Sequence, residues 1–217
     1  MDVWKYLIPP LKQIYIAYGV SDRFKEDEKY LGKAFKHIKQ LWEAQFQSIE
    51  KINFVLLGEA PFYGETKSYF YNEHSQYTPF FRHEVNPIVK STSLNKSDLF
   101  LHLKENGFII LDIFPFALNK DTAIDYKKNI KDKKALDLFN TIYEFYFVPK
   151  LKKIKTKATK KTVFCLRYKK NKILSDAIKT CLESLNFVTE VECIASNNMP
   201  INSTALQNQY SEAIKKL

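Results

Sequence analysis

Glycine is scarce in this chain of 217 residues: five occur where average usage of roughly 7% would give about fifteen. Each is therefore read as sitting where a side chain is not tolerated. Cysteine is scarcer still. Cys165, Cys181 and Cys193 are odd in number, widely spaced and set among apolar residues, which excludes a disulfide framework and a CxxC metal site and reads as three buried thiols. No apolar run approaches the roughly 20 residues of a membrane span; Ile109 to Leu118, among the longest, is broken by Asp112 and Pro115. The opening Met1-Asp2-Val3-Trp4 lacks a basic segment followed by an apolar stretch and a small-residue cleavage site, so the expectation is a cytoplasmic protein with no membrane partner. Neither a GxGxxG nor a GxxxxGK motif occurs, which argues against the familiar dinucleotide and nucleoside-triphosphate sites.

What is abundant is apolar and aromatic. Hydrophobic residues make up 45% of the chain and aromatic ones 15%, enough for a large core and too much for a disordered or collagen-like chain. Residues 2–18 and 23–50 carry helical apolar spacing, the second with Phe24, Leu31, Phe35, Ile38, Trp42 and Phe46 on one face. From residue 52 the period changes. Short apolar runs at 52–57, 108–111, 162–166 and 187–194 read as buried strands, and helical patterns at 94–106, 122–149, 170–185 and 203–216 separate or follow them. Such alternation predicts an α/β fold: a three-layer α/β/α sandwich with a central parallel sheet of about four strands. With no linker-like stretch, residues 1–217 read as one domain, a helical extension over 1–50 and an α/β core over 51–217. Residues 62–93, rich in Tyr and Phe and without a sustained period, read as a long aromatic loop of the kind that carries function.

Parallel sheets bind ligands at the carboxyl ends of their strands. After the first run comes Gly58-Glu59-Ala60-Pro61-Phe62-Tyr63-Gly64-Glu65, and the second ends in Asp112. A carboxylate closing an apolar strand is costly unless paired or placed in a cleft, which marks Asp112 as a site residue. In element order, residues 52–217 resemble the uracil-DNA glycosylase superfamily. Gly58-Glu59-Ala60-Pro61 is similar to the first motif of its GEAPG branch, Pro79-Phe80 to the pair whose ring stacks on the extruded base, and Asn197-Asn198-Met199-Pro200-Ile201 stands in the place of its second catalytic motif.

The resemblance implies hydrolysis of the N-glycosidic bond of a flipped, altered base, as in base excision repair, by a monomer whose partner is DNA. It implies catalytic roles for Glu59, Glu65 and Asn197, base contacts from Phe62, Phe80, Asp112 and Asn198, and a duplex-wedging role for Ile201. Departures from the family pattern shape the expectation. The base-reading Asn is replaced by Asp112 and the second-motif His by Asn197, and three cysteines cannot supply the four ligands of that branch's iron–sulfur cluster, so no metal and no cofactor is expected. An ionised carboxylate only accepts hydrogen bonds, so Asp112 suits a guanine-like edge with two adjacent donors better than uracil. The alternatives are a catalytically impaired DNA- or protein-binding module that retains the fold, and an unrelated α/β hydrolase or transferase using strand-end carboxylates.

The net charge is +10, and it is concentrated: residues 150–172 hold eleven Lys and Arg and no acidic residue, leaving the other 194 at −1. This segment reads as a helix-to-strand loop, with Lys157, Lys160, Lys161, Arg167 and Lys169 as the expected DNA contacts.

Overall fold

The computed structural model describes residues 2–75, 95–166, 172–187 and 192–193, together with Asn208, Ser211 and Glu212. Helix α1 (Trp4–Ala17) runs through Pro9 and Pro10, held by the buried side chains of Trp4, Leu7, Leu11 and Tyr15 on one face. A single turn at Ser21–Arg23 leads into α2 (Phe24–Ser48). Then follow β1 (Ile52–Gly58), α3 (Lys96–Glu105), β2 (Phe108–Asp112), α4 (Asp132–Ile142), α5 (Phe147–Lys157), β3 (Ala158–Leu166), α6 (Lys172–Ser184) and β4 (Glu192–Cys193). No described helix is long and apolar enough to cross a membrane.

The four strands form one open sheet in the order β2-β1-β3-β4, and every pairing is parallel. The α/β architecture expected from the alternating pattern is thus the one observed, compatible with a three-layer α/β/α arrangement. All seven residues of β1 are buried, as a central strand covered on both faces requires. Entry into β2 depends on Gly107, which closes α3 with a φ of +68°; a Cβ there would lie 2.3 Å from the Lys51 carbonyl oxygen. Residues 2–50, within the segment expected as an extension over 1–50, pack into the core: Trp42 is fully buried and its indole N–H donates to the Ile110 carbonyl at 2.9 Å. The Ile110 N–H in turn donates to the Tyr71 hydroxyl at 2.7 Å. Since β2 is an edge strand among the described ones, these two side chains occupy backbone groups that another strand would otherwise pair with.

Two expectations are corrected. The single helix read over 122–149 is two helices, because Pro149 lacks an N–H and its ring clashes with a carbonyl four residues back in a helix interior. It is instead tolerated in the first turn of α5, after a break at 143–146. Residues 150–161 are not a loop either, since α5 runs directly into β3. The helix expected over 203–216 lies almost wholly outside the described residues.

Candidate functional site

The carboxyl ends of β1 and β2 lie side by side, with Gly58 in register with Asp112. Beyond the strands the two segments stay joined, as the N–H groups of Ile113 and Phe114 donate to the carbonyls of Gly58 and Glu59, both at 2.9 Å. Asp112 is 6% exposed, and a Cβ on Gly58 would lie 2.6 Å from its Oδ1. Glycine at 58 is what lets the carboxylate settle against the β1 backbone.

Around Asp112 the interior is aromatic and polar at once. Tyr69, Tyr71, Tyr126 and Tyr146 are all buried, and their phenols are pushed above the ordinary range, chiefly by burial and further by the Asp112 charge. Lys150 completes the cluster. Its ammonium donates to the Tyr146 hydroxyl at 3.1 Å and lies over the rings of Trp42 and Tyr146, 4.4 and 4.6 Å from their centroids. Burial brings the amine down to about 8, with Asp112 and Glu43 pulling the other way. An amine so placed is protonated at neutral pH yet close to releasing its proton. Among the described residues the buried Tyr69 hydroxyl has no hydrogen-bond partner.

The segment after β1 is fastened from α2. The Tyr30 hydroxyl accepts from the Gly64 N–H at 3.0 Å and from the Asn119 amide at 2.9 Å, while His37 Nδ1 and the Tyr63 hydroxyl are 2.8 Å apart. Within this frame Glu59 is half-buried at the strand end, and the structure brings it and Asp112 together. Glu65 is not in that cluster; it is exposed on the turn that follows. Phe62 is 60% exposed, so its ring stands out from the site rather than lining a closed slot. Phe80, Asn197, Asn198, Ile201, Arg167 and Lys169 lie outside the described residues, and no group of three or more His, Cys, Asp or Glu among the described residues is placed to hold a metal ion.

The basic segment is engaged internally over much of its length. Lys157 directs its ammonium to the carbonyls of Phe46, Gln47 and Ile49, using all three donors to close the carboxyl end of α2 and leaving none for a phosphate. Lys153 pairs with Glu43, and Lys155 donates to the Asn186 carbonyl at 2.6 Å. Lys160 is exposed and Lys161 lies in β3.

The residues that sequence reasoning missed are Lys150, Tyr126 and Tyr146, whereas Tyr69 and Tyr71 fall in the aromatic loop read over 62–93. A signal for Lys150 exists: Phe147, Leu151 and Ile154 form the buried stripe of α5, and Lys150 falls on that same stripe at the i, i+3, i+4 spacing. Comparison with models of known protein families, with curated proteins and with solved structures gives no match. Fold and site together define an open parallel α/β protein with a buried carboxylate, amine and phenol cluster at the carboxyl ends of its first two strands.

Proposed function

We propose that this protein is a DNA glycosylase-like hydrolase that acts on an altered base other than plain uracil. The observation that carries the reading is the pairing of Gly58-Glu59 with Asp112 at adjacent parallel strand ends, where open α/β sheets take their ligands. In the proposed reaction water adds to C1′ of the sugar, the electron pair of the C1′–N bond departs with the base, and the base takes up a proton. Positive charge develops on the sugar and negative charge on the base. Glu59 faces the first as a half-buried carboxylate. Asp112 accepts from the base edge and so favours a base with two adjacent donors, and the protonated Lys150 supplies a cation to the cluster.

The test is release of bases from oligonucleotides carrying one uracil, hypoxanthine, xanthine or oxidised guanine, scored as alkali-labile abasic sites. Product is expected from a guanine-like base and little from uracil. Asp112→Asn, which restores an amide donor, shifts the preference toward uracil, and Glu59→Gln lowers turnover by about two orders of magnitude. Efficient uracil release by the unaltered protein refutes the substrate assignment. Binding without product on every substrate favours the second reading, a binding module that retains the fold. The burial of Asp112 among Lys150 and four phenols supports that second reading, since such a cluster also serves packing.

A further inference from the structure

We infer that the groove between α1 and α2 is a contact surface for the sugar-phosphate backbone of a nucleic acid. It does not rest on the glycosylase reading, since a protein that never breaks a glycosidic bond would show it equally. The groove is open to solvent, has a volume of about 350 Å³ and is lined by Trp4, Lys25, Glu28, Lys29, Gly32, Lys33 and Lys36. Four of its seven residues are therefore lysines. At 100° per residue Lys25, Lys29, Lys33 and Lys36 fall within one side of α2 and span about 16 Å along its axis, longer than a single phosphate group needs. All four are exposed, and among the described residues no carboxylate lies within ion-pair distance of them, Glu28 included. They differ in this from Lys150, Lys153, Lys155 and Lys157 of α5, each of which is held by an acceptor within the fold.

The floor of the groove adds a hydrogen-bond donor. Trp4 is 8% exposed as a residue and lines the groove, and its Nε1 is not among the buried polar atoms left without a partner in the described residues, so the N–H edge is reached by solvent. It lies over Gly32, where a Cβ would come within 3.2 Å of Nε1. A helix-interior glycine costs roughly 1 kcal/mol against alanine, and here it keeps the donor edge of the indole uncrowded. The groove thus offers an N–H donor beside four exposed cations. That pattern fits an anionic oxygen acceptor repeated along a chain, as in a phosphodiester backbone. Tyr30, on another side of the same helix, holds Gly64 beside the strand-end site, so α2 carries both surfaces.

The experiment measures binding of an undamaged, fluorescently labelled 20-nucleotide single strand and its duplex from low to moderate salt, using the full chain. The quadruple variant Lys25→Gln, Lys29→Gln, Lys33→Gln, Lys36→Gln alters only exposed side chains, and thermal unfolding checks that it folds. It should weaken binding at least about tenfold and reduce the slope of log K against log salt by about 3, as loss of four phosphate contacts requires. Trp4→Phe keeps an aromatic side chain but removes the N–H together with part of the indole, and, once thermal unfolding shows that it folds, should weaken binding a few-fold with the salt slope unchanged. Equal affinity and slope for the wild type and the quadruple variant overturn the inference. So does a wild type that binds phosphatidylserine vesicles but neither form of DNA.

Discussion

Raising the pH from 7 to 9.5 should strengthen this fold, through Lys150. The amine is 8% exposed and titrates near 8 in the folded protein against an ordinary 10.5. Below pH 8 folded and unfolded chains both hold the proton. Between 8 and 10.5 the unfolded chain keeps a proton that the folded protein has released, so stability rises with pH in that window. At 1.36 kcal/mol per unit the gain from pH 7 to 9.5 comes to about 2 kcal/mol. Lys96, half-buried and brought down to about 8 by the same cause, adds a smaller, solvent-screened share. The difference between wild type and Lys150→Met is therefore the quantity to read. Urea unfolding followed by fluorescence of the two tryptophans, Trp4 and Trp42, at pH 7, 8, 9 and 9.5 measures it. The variant should lose most of the rise, whatever its stability at pH 7. Parallel curves for the two proteins would refute the burial argument. Above about pH 10 the trend reverses for both. The phenols of Tyr15, Tyr69, Tyr71, Tyr126 and Tyr146 are all raised by burial, so the folded state then holds protons that the unfolded state has lost.

Three further outcomes follow from geometry. Gly58→Ala puts a methyl 2.6 Å from Asp112 Oδ1 and should cost roughly 1–3 kcal/mol in chemical denaturation; an unchanged midpoint would mean that the carboxylate moves freely. Tyr71→Phe strips the Ile110 N–H of its acceptor and should cost about 1–3 kcal/mol, whereas Tyr69→Phe removes a buried hydroxyl without a partner among the described residues and should be neutral or stabilising by up to about 1 kcal/mol. The reverse order in urea titrations would contradict both assignments. Lys157→Met removes three hydrogen bonds from the end of α2 and should lower stability by about 1–2 kcal/mol while leaving the salt dependence of DNA binding untouched; a reduced slope would return Lys157 to the phosphate contacts.

The sheet was legible because burial on both faces leaves mostly apolar runs: Ile52 to Leu57, broken only by Asn53, and Phe108 to Leu111 lie within strands ending one residue later. The alternation with helices made the strands parallel, but their order is set by where each crossover returns the chain, which no local pattern records. The 122–149 region misled because Phe139, Tyr143, Tyr146 and Phe147 keep a helical period across the break, and only Pro149 marked it. At the site, Asp112 was legible as a polar end to an apolar strand. Lys150 was not, since counting charge along 150–172 treats every lysine as solvated, while its neighbours Phe147, Leu151 and Ile154 place it inward. Lys157 was misjudged for a related reason. Its partners are carbonyls of residues 46 to 49, more than a hundred positions away in the chain.

The guarded edge of β2 bears on how the chain reaches its fold. Trp42 and Tyr71, which occupy the carbonyl and the N–H of Ile110, both precede that residue in the chain. Synthesis runs from the amino end, so each guard has left the ribosome before the strand it covers exists. A nascent β2 therefore meets its own caps before it meets a neighbouring chain. The order of residues along the sequence acts here as a schedule, closing the route to intermolecular strand pairing as soon as it opens.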